Sequence, residues 1–449
     1  MRDLRRLMLF CLLSFFLGLN ARNPLQPSFY AASEYPPLVP QDMKRPGFWI
    51  ARHPNPDSLI MNAATLTKFN QNVIRKGHVS QIIEHSRIIQ GSNVRTMITQ
   101  AYNQARALGL YDATGTKVSQ TWWQEVRNNT NMNKIPAVPQ VRFGFPIRFT
   151  DQRLVPSSEN LNQKVLDREF DELQNSGFDI DSPTVFYHTS ADGKWYFGAS
   201  NVCVGWYRAE DVVVLPHARW IEYQKSPLWV ISTSAKNDIY QDSLATRYHC
   251  FVRMGVKLPL IAEHEDYYQV QIPAADTKYG YISKTDAVVG YLPYTARNIY
   301  LQAFKLLNIP YGWGDMGGEY DCSGLIKQLF ACFGIYLPRN GTTQSKAGKL
   351  IVELSDKKSL SEREAEIVKK GVPAITLLRM PGHIMLYLGS VDGKAYALHD
   401  TWGFRTPNNG KDDDINVINK TVVSGLHLGE GSKKGSLLKR LTTLSKLLY

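Results

Sequence analysis

One cysteine lies where a glycine-rich loop meets an amphipathic helix, and this junction restricts the fold of the chain more than any other segment. The loop runs through Tyr311-Gly-Trp-Gly-Asp-Met-Gly-Gly-Glu-Tyr-Asp-Cys-Ser-Gly-Leu325. Beyond it, apolar residues recur at three- and four-residue steps, as on one face of a helix: Leu325, Ile326, Leu329, Phe330 and Phe333. Cys322 therefore falls in the first turn of the predicted helix, where unpaired backbone N–H groups and the helix dipole favour a thiolate over a thiol.

A thiolate nucleophile needs a base, and two histidines follow in the predicted strands of a hairpin. Residues 382–389 predict a strand that begins with His383, residues 390–393 a turn, and residues 394–400 a returning strand that ends with His399. We expect the two imidazoles to lie on one face of this hairpin.

The predicted register of the hairpin makes the two histidines direct neighbours across the strands. The separation of His383 and His399 is even, and its midpoint, Val391, lies inside the turn. Antiparallel pairing about that midpoint needs an odd-length loop or a β-bulge, with Gly393 as the left-handed residue. A strict two-residue Asp-Gly turn would instead place Trp402 opposite His383. The bulged register is therefore a prediction that a structure can refute.

Each of these residues also has a purely structural explanation. A lone cysteine in an apolar helix more often packs in a core than attacks a substrate, and a lone histidine in a strand usually makes a structural hydrogen bond. The combination of the cysteine with the two histidines favours a catalytic role. A cysteine at a loop-to-helix junction, a histidine at the head of a strand and a histidine on the returning strand follow the Cys-His-polar order of papain-like catalysis.

These motifs resemble the NlpC-type cysteine peptidases of bacterial cell walls, whose signature is Asp-Cys-Ser-Gly, then Gly-His, then a third polar residue that is often His. Here the signature is present as Asp321-Cys322-Ser323-Gly324, Gly382-His383 and His399. The segment Leu337-Pro-Arg-Asn-Gly-Thr-Thr-Gln344 also resembles the Leu-Pro-Arg loop of that family. The resemblance covers about the last third of the chain and implies a papain-like catalytic domain at 292–428.

The first residues have the layout of a secretory signal. Met1-Arg-Asp-Leu-Arg-Arg6 carries positive charge, residues 7–19 are an apolar run, and Asn20-Ala21 offers a small residue for cleavage. The run is short for a membrane span, although an uncleaved inner-membrane anchor is the alternative. We therefore predict a signal peptide at 1–21, export to the periplasm or cell envelope, and no stable membrane span after the signal is removed.

The composition fits a secreted, multi-domain globular protein. The chain has 449 residues, of which 43% are hydrophobic and 20% charged, enough for about three domains or more. The formal net charge is +12, but no zinc-finger spacing, RNA-binding signature or phosphate loop accompanies it, so we expect no nucleic-acid partner. Attraction to an anionic envelope explains the basic excess. Once Cys11 has left with the signal and Cys322 is kept reduced, three cysteines remain without a metal-ligand pattern, which predicts neither a disulfide framework nor a metal site: Cys203, Cys250 and Cys332.

The remaining sequence predicts four further parts. Residues 22–137 contain helical patterns near 58–75 and 94–108 and a short piece from Trp122, and they resemble the N-terminal stabilising segment of multi-domain peptidases of this group. Residues 138–217 and 218–291 carry short strands between turns and resemble two bacterial SH3-like domains. Residues 429–449 form a basic tail. The predicted fold class is α+β, with the papain-like domain preceded by two small SH3-like β-barrels and a mainly helical segment.

The resemblance also assigns a role to the first SH3-like domain. In related enzymes this domain closes one end of the groove and helps to recognise a free N-terminal L-alanine, often through an aromatic residue before a Gly-Trp pair. Here that position holds Cys203, a departure from the family pattern, while Trp206 is retained. The resemblance therefore implies a substrate contact for Trp206.

The activity that the resemblance implies is hydrolysis of the γ-D-glutamyl-diamino acid (diaminopimelate) bond in peptidoglycan stem peptides with a free N-terminal L-alanine. Cys322 is the expected nucleophile, His383 its base, and His399 the residue that orients His383. Asp321 and Ser323 flank the nucleophile and are expected to bind a substrate ammonium, although for Asp321 an N-cap of the helix is an equally good explanation. We expect no cofactor and a monomer.

Two other functions stay open from the sequence alone. The chain could be a catalytically silent cell-wall-binding scaffold that works through its SH3-like domains. It could also be a thiol-dependent acyltransferase, because circularly permuted relatives of this fold handle lipids. The order of cysteine before histidine argues against the acyltransferase, and cleavage of L-Ala-γ-D-Glu-diaminopimelate that is lost in Cys322→Ala would separate a peptidase from a scaffold.

Overall fold

The computed structural model describes residues 38–165, 169–276, 278–408 and 412–449. These ranges form four parts: a helical N-terminal segment, two β-barrels, and an α+β domain that holds Cys322. The predicted signal peptide at 1–21 lies outside the described residues. Within the described ranges, no helix has the length and apolar character that crossing a membrane requires.

From residue 38 onward, where its description begins, the N-terminal segment contains four α-helices. They are α1 to α4, at Pro46–Ile50, Ala63–Arg75, Gly91–Ala107 and Gln120–Asn129. Two of them begin at a side-chain cap, because Asn62 accepts the N–H of Thr65 and Ser119 accepts the N–H of Trp122. The predicted helical patterns all fall on α2, α3 and α4, so the helical prediction for this segment is confirmed.

The N-terminal segment packs against two different parts of the molecule. Trp49 of α1 is 2% exposed, and its ring centroid lies 5.8 Å from the ring centroid of Tyr396 in the α+β domain. Val94 and Ile98 of α3 belong to the same buried cluster as Phe143 of the first barrel. The segment therefore connects that barrel to the α+β domain through apolar burial.

Seven antiparallel strands form each barrel in the described ranges. The first contains β1 to β7, at Arg142–Pro146, Thr150–Arg153, Gln174–Phe178, Thr184–Thr189, Trp195–Ala199, Val204–Arg208 and Val212–Leu215. The second contains β8 to β14, at Trp229–Ser232, Lys236–Tyr240, Tyr248–Arg253, Lys257–Glu263, Tyr267–Ile272, Lys278–Ser283 and Ala287–Val289. The strand orders are β3-β2-β6-β5-β4-β1-β7 and β10-β9-β13-β12-β11-β8-β14, the same permutation in each, which confirms the prediction of two similar small β domains. Helix α5, at His217–Gln224, joins them.

The α+β domain is a six-stranded sheet with helices on both faces. Its helices α6 to α10 lie at Ala296–Lys305, Cys322–Ala331, Gly341–Ala347, Leu360–Lys370 and Leu437–Arg440. Strands β15 to β20 lie at Lys349–Glu353, Thr376–Met380, His383–Val391, Lys394–Thr406, Asp414–Gly425 and Thr443–Lys446, in the order β15-β20-β16-β17-β18-β19. Leu386 and Leu398 pack on the side of α7, and Tyr387 and Ala397 pack on the side of α9 and α10.

The C-terminal residues are part of this sheet, and the predicted basic tail has to be corrected. Strand β20 lies between β15 and β16 and pairs with both. Leu441, Leu444 and Leu447 are fully buried. The prediction considered the lysines of this segment and overlooked the leucines at every third position, which belong to the core. The α+β domain therefore extends beyond the predicted boundary at 428.

Candidate active site

Cys322 is the first residue of α7, as the sequence predicts. Asp321 caps the helix, because its Oδ1 accepts the backbone N–H of Ser323 at 2.9 Å and of Gly324 at 2.7 Å. The loop before it turns sharply, with positive φ at Gly314, Asp315, Gly317 and Gly318. This turn, which favours glycine, brings the start of the helix to the edge of a pocket.

Asp315 explains why glycine follows Ser323. A Cβ atom at position 324 would lie 1.9 Å from Asp315 Oδ1, so only glycine fits there. Asp315 cannot move aside easily, since it is 1% exposed and its carboxylate accepts the backbone N–H of Asp321 at 3.1 Å. The last residue of the Asp-Cys-Ser-Gly motif is therefore fixed by packing.

The turn of the histidine hairpin is the strict two-residue type. Asp392 and Gly393 both have positive φ, at 50° and 75°, and Val391 pairs with Lys394. This pairing is typical of a type I′ hairpin, whose twist matches that of the strands. The predicted register about Val391, with an odd-length loop, is therefore wrong.

A β-bulge nevertheless brings the two histidines to one face. Pairing shifts by one residue between Tyr387 and Gly389, after which Leu386 pairs with Leu398. Continued along the strands, this register would set residue 401 opposite His383, so that His399 is a diagonal neighbour on the same face. The prediction that both histidines lie on one face is in accord with this geometry. The bulge, however, lies between Tyr387 and Gly389 and not at the turn, and His383 and His399 are diagonal neighbours and not a directly opposed pair.

A chain of three side chains runs across these strands. His383 Nε2 lies 2.8 Å from His399 Nδ1, and His399 Nε2 lies 2.9 Å from Ser424 Oγ. When His399 donates to Ser424 and His383 donates to His399, Nδ1 of His383 is left as a proton acceptor. Ser424 was absent from the predicted site, because it lies on a strand beyond the motifs and becomes a neighbour only through the pairing of β18 with β19.

The sulfur of Cys322 lies at the start of the strand that carries His383. Its closest polar partner on β17 is the backbone N–H of Ile384, the residue after His383. In the described residues, no hydrogen bond joins the thiol to the His383 imidazole. The nucleophile and the base are therefore adjacent in the fold but are not hydrogen-bonded to each other in this structure.

Desolvation dominates the electrostatics of these groups. Burial raises the pKa of the Cys322 thiol, and the charge of Asp321 raises it further. Burial and Arg440 lower the pKa of His383 to about 4, and burial lowers the pKa of His399 well below its usual value. At neutral pH this structure therefore holds a neutral thiol beside neutral imidazoles. The expected preference of the helix start for a thiolate is outweighed by burial.

A pocket of about 270 Å³ opens beside Asp321 and Ser323. Its walls come from the first barrel, through residues such as Cys203, and from the α+β domain, through Trp313 and Arg339. The first barrel therefore closes one side of the pocket next to the nucleophile. This is the position that the resemblance implied for it.

Arg339 organises the polar side of this pocket. It donates to Asp321 Oδ2 at 2.7 Å, to Asp321 Oδ1 at 3.1 Å and to Ser323 Oγ at 2.8 Å. Burial raises the pKa of Asp321, but Arg339 and the hydrogen bonds from Gly324 and Ser323 together outweigh it, so the pKa is lowered and Asp321 is ionised. The structure places Asp321 in the N-cap role and also on the pocket wall. Arg339 was not predicted as a site residue, although the Leu-Pro-Arg segment was its signal.

The structure does not place Trp206 at the pocket. Its side chain is 0% exposed and packs in the core of the first barrel beside Phe197, with ring centroids 5.1 Å apart. The expected substrate contact of Trp206 therefore has to be corrected. Cys203, at the position where the family pattern has an aromatic residue, lines the pocket instead.

A chain of buried charges connects the helix cap to both barrels. Arg253 of the second barrel pairs with Asp179 of the first at 2.9 Å and with Asp315 at 3.2 Å. Asp315 pairs with Arg339 at 3.2 Å, and Arg339 pairs with Asp321. Alternating signs let these groups stay charged away from water. The nucleophile helix is therefore held in place by three parts of the molecule.

The described residues contain no group of three or more His, Cys, Asp or Glu side chains that could hold a metal ion. The four cysteines of the described ranges are all free thiols, at positions 203, 250, 322 and 332.

Comparison with known proteins agrees with this geometry. Residues 308–401 match the NlpC/P60 family, and residues 159–208 match the SH3 domain of the SH3b1 type. The gamma-D-glutamyl-L-lysine dipeptidyl-peptidase of Bacillus subtilis is 32% identical over 169 residues, which cover 37% of this chain and 49% of that protein. The chain thus spans about half the length of this curated relative.

Comparison with solved structures finds two similar chains. An NlpC/P60 endopeptidase from Photobacterium damselae subsp. piscicida gives a TM-score of 0.75 at 19% identity, covering 92% of this chain and 98% of that chain. An NlpC/P60 family protein from Bacillus cereus gives a TM-score of 0.49 at 15% identity, covering 68% of this chain and 100% of that chain. The first of these likenesses shows a shared fold. The α+β domain thus matches the NlpC/P60 family over residues 308–401, in a multi-domain chain whose residues 159–208 match an SH3 domain of the SH3b1 type.

Proposed function

We propose that this protein is a cysteine endopeptidase that hydrolyses the γ-D-glutamyl-diamino acid bond of peptidoglycan stem peptides. The observation that carries the proposal is the arrangement of Cys322 at a helix start, beside the strand that carries His383, next to a pocket that the first barrel helps to close. The name of the Bacillus subtilis relative, a gamma-D-glutamyl-L-lysine dipeptidyl-peptidase, supports the same bond.

In the proposed mechanism, substrate binding brings the Cys322 thiol to Nδ1 of His383. The imidazole takes the thiol proton, and the thiolate attacks the scissile carbonyl. His399, held by Ser424, accepts the Nε2–H hydrogen bond of His383 and so fixes the tautomer and stabilises the imidazolium. His383 then protonates the leaving amine, and water resolves the acyl-enzyme.

The helix start offers one backbone donor to the developing oxyanion. The N–H groups of Ser323 and Gly324 are bound to Asp321, so that of Cys322 is the one left at the first turn. A single backbone donor aimed at the oxyanion contributes roughly 3 kcal/mol of transition-state stabilisation in comparable enzymes.

We further propose that Asp321 and Ser323 help to bind the free amine of an N-terminal L-alanine. Oδ1 of Asp321 is occupied by the helix cap, whereas Oδ2 accepts a hydrogen bond from Arg339 and retains acceptor capacity. An ammonium in the pocket would therefore meet a carboxylate that Arg339 already keeps ionised.

The test is mass spectrometry of products from L-Ala-γ-D-Glu-diaminopimelate and from the matching L-lysine tripeptide. We expect release of L-Ala-D-Glu by the wild type and none by Cys322→Ala, with Cys332→Ala, a buried cysteine outside the site, as the matched control. Cleavage that persists in Cys322→Ala would refute the cysteine mechanism. Binding to cell walls without any cleavage would favour the scaffold function.

A second experiment tests whether the enzyme recognises the free amine of the N-terminal L-alanine. Stem peptides with an acetylated L-alanine should be cleaved much more slowly than free ones, and Asp321→Asn should reduce this difference. Equal rates for free and acetylated peptides would refute the role of Asp321 while leaving the peptidase proposal intact.

A further inference from the structure

A second cavity, of about 340 Å³, lies where all four parts of the molecule meet. Its wall includes Val79 from the N-terminal segment, Asp181 from the first barrel, Lys257 from the second and Lys327 from α7. Cys322, His383 and His399 do not line this cavity, which lies along α7 away from its N-terminal end.

Two lysines line this cavity, and one acid, Asp181, lies near both of them. Lys327 Nζ has one hydrogen bond, to the neutral Gln328 Oε1 at 3.3 Å. Lys257 Nζ lies 4.4 Å from the ring centroid of Trp229. Among the described residues, the charge of Asp181 acts on Lys257, and the charges of Asp315 and Asp179 act on Lys327. Asp181 is the nearby acid, and its carboxylate accepts the backbone N–H of Lys257 at 3.0 Å.

The cavity therefore carries an excess of positive charge in a partly desolvated place. Burial lowers the pKa of both Lys257 and Lys327, and it raises the pKa of Asp181 to about 6. Both lysines would keep their charge more easily beside an added anion, whereas the carboxylate of Asp181 would lose its charge more easily. The neighbouring Arg253 offers no surplus charge, because Asp179 and Asp315 already pair with it.

Part of the remaining wall is apolar, and the cavity has an entrance. Val79, Ile82, Val256 and Leu337 are buried side chains of the lining. Tyr291 and Tyr336 also line the cavity and remain 44% and 41% exposed, which marks the side that is open to solvent. A ligand that fits both features has one anionic end and a short apolar body.

We propose that this cavity binds a small monocarboxylate with a short apolar body, whose carboxylate lies between Lys257 and Lys327. A carboxylate accepts hydrogen bonds from two ammonium groups and supplies the missing negative charge. Such a group occurs at the C-terminus of a short apolar peptide and in a free aliphatic acid. The inference is independent of the proposed peptidase activity.

Calorimetric titration of the full chain with sodium hexanoate and with N-acetyl-D-alanyl-D-alanine tests this inference. Binding of hexanoate alone indicates an aliphatic acid, and binding of the peptide alone or of both indicates a peptide terminus; each supports the site. Hexanamide, which has the same shape without the charge, should not bind. Absence of binding for both carboxylates at millimolar concentration, or equal binding of hexanamide, would overturn the proposal.

Variants locate the binding within the molecule. Lys327→Met should weaken carboxylate binding at least about tenfold, because it removes one charged donor and keeps the side-chain length. Lys68→Met, at an exposed lysine of α2 outside the cavity, is the matched control and should bind like the wild type. Lys257→Met gives a second, independent measurement. Unchanged affinity in both cavity variants would place the ligand elsewhere and refute the site.

Discussion

At the scale of single residues, Ser424 decides which nitrogen of His383 can act. His399 is 1% exposed, so both of its ring nitrogens depend on protein partners, and Ser424 supplies one of them. Loss of that partner would leave Nε2 of His399 buried without a hydrogen bond and would free the imidazole pair to adopt the other tautomer.

We therefore expect Ser424→Ala to lower kcat by about tenfold with little change in KM, because a lost buried hydrogen bond costs about 1–3 kcal/mol. Steady-state kinetics on the tripeptide measures this, and Ser424→Thr, which keeps a hydroxyl, should restore much of the rate. Ser445→Ala is the matched control, since Ser445 is fully buried in the same sheet but its hydroxyl has no partner. Equal losses in Ser424→Ala and Ser445→Ala would contradict the positioning role.

The pH dependence of stability is a second prediction at this scale. His383 has a folded-state pKa of about 4, below its unfolded value near 6.5, so the unfolded chain binds the proton more tightly. Its contribution to stability is therefore complete above pH 6.5 and is lost as the pH falls toward 4. We expect the wild type to lose about 1–2 kcal/mol more than His383→Asn between pH 7 and pH 5. Denaturant unfolding at several pH values tests this, and parallel curves for the two proteins would contradict it.

At the scale of elements, the histidine hairpin shows which structural features residue spacing can predict and which it cannot. The positions of Cys322 in a helix and of both histidines in strands follow from periodicity, which depends on local spacing. The bulge depends on tertiary contacts. Tyr300 donates to the backbone carbonyl of Leu388 at 2.6 Å, and Leu388 packs against the α7 side of the sheet. Helix α6 thus selects the site of the bulge, and hairpin spacing alone could not reveal it.

Gly389 makes this bulge testable. Its φ of +135° suits glycine alone, whereas a Cβ there would have room, with its nearest neighbour in Trp49 at 3.6 Å. We expect Gly389→Ala to reduce stability by about 1–3 kcal/mol through backbone strain. Gly425→Ala is the control on β19, because its Cβ would meet Tyr396 at an ordinary 3.7 Å and its φ is not positive. Thermal unfolding compares the two, and similar melting temperatures would argue against the strained bulge.

At the scale of the whole molecule, the buried charges tie the parts of the chain to one another. Asp179, Arg253 and Asp315 come from the first barrel, the second barrel and the loop before Cys322, and all are at most 3% exposed. Arg339 and Arg253 were not predicted as site residues, and the reason is the same for both. Their roles depend on carboxylates that are distant in sequence, and composition or periodicity carries no trace of such partners. The boundary drawn at 428 failed in a similar way, because β20 completes the sheet from the end of the chain.

Arg253→Met should destabilise the protein by about 3–5 kcal/mol, because it leaves two buried carboxylates without a partner. Activity should fall as well, since Asp315 positions the N-cap at Asp321. Arg148→Met is the control: Arg148 also pairs with an aspartate, but its side chain is 53% exposed, and such a pair is worth at most about 1 kcal/mol. Thermal melts and kinetics of the two variants decide the question, and equal effects would show that the chain of charges is unimportant.

The raised pKa of the Cys322 thiol bears on the chemical durability of the protein. Oxidants and disulfides attack the anionic form of sulfur, and in this structure that form is scarce at neutral pH. In the proposed mechanism the thiolate forms only when a bound peptide brings the sulfur to His383, so the reactive atom is kept in an inert state until then. Peroxide should therefore inactivate the protein slowly at rest and faster during turnover.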